Sequence, residues 1–103
     1  MIITLLSGAT TVAVGPGVNV NGSGPNRWVQ AVLSGTGSPS ATVEIDGSND
    51  NVNWIPLAVI TLPKSGTGAL TDAAATIQTA EFMRGNITAI SGTNTAITLT
   101  SAQ

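Results

Sequence analysis

Apolar residues come in short runs along this chain, most of them alternating with Thr, Ser and Asn, and each run stops at a Gly, Pro, Ser or Asn cluster. That rhythm, with a period of two and frequent punctuation, predicts an all-β protein of short strands. Strands are expected at residues 10–14, 18–21, 27–34, 41–46, 54–62, 82–90 and 96–100, with turns at 15–17, 22–26, 35–40 and 47–53. In 41–46, Val43 and Ile45 share one face while Thr42, Glu44 and Asp46 share the other. The run 27–34 is nearly continuous in apolar residues, a pattern that predicts burial on both faces, with Trp28 in the core. Pro56 interrupts 54–62 and demands an edge or a bulge. Ser91, Gly92, Thr93 and Asn94 have hairpin-loop composition. Residues 69–79 are ambiguous: the alanines at 73–75 suit a helical turn, but Thr71, Thr76 and Thr79 favour extended chain, read as a loop plus a short strand.

Seven to eight short strands in 103 residues imply two packed antiparallel sheets, a β-sandwich or jelly roll, forming a single domain over 1–103. At 10.2 kDa such a domain should expose about 5,300 Å² once folded. Residues 1–6 form an apolar edge without an evident partner in the chain. Residues 1–9 are therefore read as an N-terminal arm that augments the sheet of a neighbouring subunit or of another protein in the assembly, with Ile2, Ile3, Leu5 and Leu6 at the interface. The opening lacks a basic region and does not read as a secretory signal.

Composition narrows the function. Charged residues are 8% of the chain, against about a quarter in typical domains. Three basic residues and a net charge of −2 speak against nucleic-acid binding. No apolar run approaches the ~18 residues of a membrane-spanning helix, so no membrane partner is expected. Without Cys or His the chain lacks thiol chemistry and the commonest general base. No enzyme and no cofactor are expected.

Four groups of residues invite a closer reading. Glu44 and Asp46 form a same-face carboxylate pair, read as solvent-facing positions of an amphipathic strand. Asp46, Ser48 and Asp50 alternate as the first ligands of a calcium loop do, but the sixth position is Asn51 rather than Gly and the twelfth Leu57 rather than Glu. These three are calcium candidates beside the simpler reading of a turn closed by its own side chains. Arg27 and Arg84, at or near strand starts, are candidates for pairing with a carboxylate across a sheet or a subunit boundary. Asn49, Asp50 and Trp54 make a candidate adhesion loop that could stack on a sugar.

The string from Ala41 to Leu57, ATVEIDGSNDNVNWIPL, resembles the strand, Gly-Ser-Asn-Asp, Asn-Trp, strand hairpin of small tailed-phage virion proteins. It is followed by Phe82-Met-Arg-Gly-Asn-Ile-Thr-Ala-Ile90, Gly92 and the run 96–100. This order, with Arg84 early in the penultimate strand, resembles phage head decoration (cement) proteins. Discoidin-like carbohydrate-binding domains carry a similar Ser-Asn-Asp-x-x-x-Trp hairpin. The phage resemblance implies a structural virion protein, made in the host cytoplasm and carried on the capsid's outer surface. It implies a homo-oligomer, commonly a trimer, that clamps neighbouring major capsid proteins. A tail or neck accessory protein and a carbohydrate-binding or host-adhesion module are the alternatives. The low charge agrees with an assembly role: near-neutral surfaces of Thr, Ser and Asn favour association.

Overall fold

A computed structural model describes residues 2–20, 27–76 and 80–102; the expected turn at 22–26 lies outside them. Six strands follow one another: β1 (Ile2–Ala9), β2 (Val18–Asn19), β3 (Arg27–Ser48), β4 (Ile55–Leu62), β5 (Thr71–Thr76) and β6 (Phe82–Ala102). No helix occurs among the described residues. All pairings are antiparallel and all strands belong to one sheet.

The strand count differs from expectation because two pairs of runs are fused. Residues 27–34 and 41–46 are parts of the 22-residue β3, and 82–90 and 96–100 are parts of the 21-residue β6. The turn-forming residues between them do not separate strands. They lie opposite one another in the β3–β6 ladder, whose register shifts between Ser34 and Thr36 and again between Thr36 and Ser40. Gly35, Gly37 and Ser38 have positive φ on β3, as do Gly92 and Asn94 on β6. Hydroxyls bridge the two strands here: Ser40 and Ser91 share a hydrogen bond of 2.6 Å, and Thr36 Oγ1 donates to the Thr93 carbonyl at 3.4 Å, while within β6 Thr95 Oγ1 donates to the Ser91 carbonyl at 3.0 Å. Ser91 to Asn94 is thus not a hairpin loop but an exposed part of β6 at a bend. The bend is geometrically necessary: a straight strand of this length would span about 70 Å, whereas the molecule's longest dimension is 39 Å.

On one side of the bend the strands run β5, β3, β6, β1; on the other they run β4, β3, β6, β2. Odd-numbered positions of β3 point inward on both sides, so Val29, Ala31, Leu33, Ala41, Val43 and Ile45 are all buried. Together with Leu5, Leu6, Val20, Ile60, Leu62, Met83, Ile87, Ile97 and Leu99 they form one cluster. A single sheet therefore closes over a single core, and its exposed area of 5251 Å² matches the expectation from mass.

The N-terminal segment is not a free arm. β1 pairs with β6 from Ile2 opposite Ala102 to Ala9 opposite Ile97. Register shifts between Thr4 and Leu6, and between Leu6 and Ala9, break strict alternation and let both leucines enter the core. Leu5 and Leu6 are core residues rather than interface residues; Ile2 alone of the four is fully exposed, and Ile3 is half-buried. The chain then continues along β6. The Ala13 carbonyl accepts from the Ile87 amide, and the Gly15 amide donates to the Gly85 carbonyl. The expected strand at 10–14 reduces to a single bridge, Val14 to Asn86. Pro56 sits on edge strand β4 beside a register shift, where its missing amide hydrogen is tolerated.

Candidate functional site

The turn after β3 closes on its own side chains. Asp50 Oδ1 accepts from the amides of Val52 at 2.9 Å and Asn53 at 2.8 Å and from Ser48 Oγ at 2.9 Å, while Oδ2 accepts from Asn53 Nδ2 at 2.7 Å. These donors, the Asn53 amide foremost, hold the Asp50 carboxyl well below the usual carboxylate range. Ser48 Oγ also accepts from the amides of Asp50 and Asn51. Asn49 Oδ1 accepts from the Glu81 amide, tying the turn to the start of β6. An open cleft of about 400 Å³ lies beside this turn, lined by Gly47, Ser48, Asn49, Asn53 and the side chains of Ile55 and Leu57.

Next to the turn, β3 and β6 place Asp46 opposite Arg84. Arg84 Nε donates to Asp46 Oδ2 at 3.0 Å, and the guanidinium carbon lies 4.3 Å from the centre of the Trp54 ring. Gly17 packs closely beside this stack: an added Cβ would fall 3.0 Å from Trp54 Cζ2, and the Asn51 side chain would have to move aside. The solvent-facing reading of the carboxylate pair fails for Asp46, which is only 2% exposed beneath its partner. Glu44 is half-buried. Its carboxyl is pushed above the ordinary glutamate range, first by a hydrogen bond to Asp46, then by desolvation and by repulsion from that carboxylate, against an opposing pull from Arg84.

The three calcium candidates have other duties: Asp46 is ion-paired with Arg84, and Ser48 and Asp50 bond to each other and to their turn. Arg84 joins Asp46 and Trp54 within the chain, so its carboxylate partner lies across the sheet and not across a subunit boundary. Arg27 is not a surface group either. It is 3% exposed, donating from Nη2 to the Val20 carbonyl and from Nη1 to Ser101 Oγ. Among the adhesion candidates, Asn49 and Asp50 are exposed but engaged in the turn, and Trp54 is half-buried and stacked against Arg84.

The other tryptophan reverses its expected place. Trp28 is 56% exposed. The apolar run 27–34 conceals a regular alternation in which Val29, Ala31 and Leu33 point inward while Trp28, Gln30, Val32 and Ser34 point out. Across the sheet, Trp28 lies beside Ala102, which in turn lies beside the exposed Ile2; Gln30 lies beside Thr100, and Val32 beside Thr98. The signal was available in the parity of Val29, Ala31 and Leu33, but the two apolar side chains on the outward set masked it.

Compared with known protein families, curated proteins and solved structures, the chain matches none.

Proposed function

We propose that this chain is a non-catalytic structural virion protein of a tailed bacteriophage, a homo-oligomer on the capsid's outer surface that binds across neighbouring major capsid proteins. The observation that carries the reading is a bare, uncharged margin of the sheet. β1 is the terminal strand, and its outer edge pairs with no strand among the described residues. Exposed Ile2 begins that strand, and the adjoining outward positions are neutral. An open strand edge offers backbone hydrogen bonds to a partner's sheet, and a neutral surface costs little to desolvate. The resemblance of residues 41–57 and 82–90 to virion hairpins points the same way. In this reading the two halves of the bent sheet act as the layers of a jelly-roll sandwich.

The test is to mix the full chain with empty, expanded heads of the phage whose genome encodes it and to examine the washed particles by cryo-microscopy. Regular density on the outer surface, weakened by Ile2→Asp, is the expected result; bare heads would overturn the proposal. The adhesion alternative rests on the open cleft beside the turn at 48–53. Tryptophan emission that shifts with a glycan panel, while heads stay bare, would favour it instead.

A further inference from the structure

The two outward faces of the bent sheet are built differently. Beyond the bend, the outward face carries Glu44, Asp46 and Arg84, with Trp54 stacked on Arg84 and Gly17 packed against Trp54. On the near side nothing in the described chain covers the outward face. Its centre is Trp28, Gln30 and Val32 on β3, with Thr98 and Thr100 beside them on β6 and Ile2 at the margin. Around them, among the described side chains, lie Thr4, Ser34, Thr71, Ala73 and Ala96.

None of the chain's eight charged side chains belongs to that face. Arg27, at the start of β3, is buried. Asp72 on β5 lies opposite the inward-pointing Ala31 and pairs with Lys64 at 3.4 Å. Glu44, Asp46, Asp50, Glu81 and Arg84 all lie beyond the bend or in the turns next to it.

We propose that this face pairs with the same face of a second copy of the chain. In a two-fold interface each surface meets its own duplicate, so a charged patch would bring like charges together and bury them unpaired. A face without charge avoids both penalties, and its best electrostatic match is an equally neutral face. Trp28 supplies the anchor such an interface needs: a large exposed aromatic on a central strand, surrounded by small side chains that let a partner approach. Twisted sheets pack face to face at about −30° and about 10 Å apart, which suits an uninterrupted sheet surface.

The area sets the strength. Four strands about 4.8 Å apart and about seven residues long give roughly 440 Å² per copy. Two copies would bury roughly 900 Å², below the ~1,600 Å² of a standard stable interface. The pair is therefore weak and reversible in free solution, and becomes effective where many copies are held side by side. The pairing names a contact for the homo-oligomer proposed above but does not rest on its capsid role, since head binding tests that role and the mass of the free protein tests the pairing.

Sedimentation of the full chain from about 1 µM to about 1 mM tests it. Wild-type mass should climb from that of the monomer toward that of the dimer. Val32→Lys should weaken the pair at least about tenfold by placing two like charges in the interface. Val59→Lys, on exposed β4 beyond the bend, should behave as wild type. Thr98→Lys serves as a second variant of the same face should circular dichroism show Val32→Lys unfolded. A wild-type chain that stays monomeric throughout, that forms trimers instead, or whose association survives both lysines would overturn the proposal.

Discussion

Arg84 and Asp46 occupy directly opposed positions in the β3–β6 ladder, and their ion pair of 3.0 Å holds a carboxylate that is almost wholly buried. The pair links residues 38 positions apart and seats the half-buried Trp54 against the guanidinium. It is the polar counterpart of the apolar core on the opposite side of the same strands.

Arg84→Ala should therefore be costly. Removing Arg84 leaves the buried Asp46 carboxylate uncompensated, and because Arg84 itself is 22% exposed the loss is about 1–3 kcal/mol. Arg84→Lys should recover only part of this, because an ammonium lacks the planar group that stacks on Trp54. Urea denaturation of both variants measures the loss, and a cycle with Asp46→Asn isolates the coupling. A cost below about 1 kcal/mol for Arg84→Ala would place the pair with ordinary surface ion pairs.

Glu44 should make stability depend on pH in the direction opposite to Asp50. Because the folded-state affinity of Glu44 for its proton is raised, its contribution is complete in acid and is lost as pH rises through its folded-state value. Asp50, with a lowered value, contributes above the ordinary aspartate range and loses that contribution as pH falls. Glu44→Gln keeps a permanent hydrogen-bond donor toward Asp46. Its melting temperature should exceed wild type at neutral pH and converge with it in acid; melts across the pH range would show this.

Gly92 tests the bend. Its φ of 113° is open to few residues besides glycine, and an added Cβ would lie 2.8 Å from Pro39 Cα and strike Thr95 Oγ1. Gly92→Ala should cost about 2 kcal/mol or more. Amide exchange should quicken first around Thr36, Ser40 and Ser91, where the two strands bend together.

Leu5 and Ile2 should separate core from surface within one strand. Leu5→Ala removes a buried side chain and should cost about 2–5 kcal/mol, whereas Ile2→Ala should change stability by no more than about 0.5 kcal/mol. Equal small effects at both positions would restore the reading of a detached arm.

Much of the fold was legible locally. The inward set Val43 and Ile45, the turn closed by Asp50, and the irregularity at Pro56 all follow from residue type and a period of two. The Gly-rich interruption at 35–40 was also legible as a place where a regular strand fails. Whether it ends a strand or bends one depended on what lay opposite, and Ser91 and Thr93 are more than fifty residues away in the chain. The candidate site divided in the same way. Asp46 reads as a solvent position from its alternation, and only the arrival of Arg84, with Trp54 stacked against it, makes it interior.

By itself the sequence determined an all-β chain, the positions at which its regular alternation breaks, and a surface poor in charge. These are properties of residues one and two positions apart, where side-chain direction and backbone preference act directly. Tertiary pairing decided which breaks became bends, that the N-terminal leucines complete the core, and that Trp28 faces outward while Trp54 is covered. Those outcomes depend on which distant strand lies alongside, because burial belongs to the assembled sheet and not to any one strand within it.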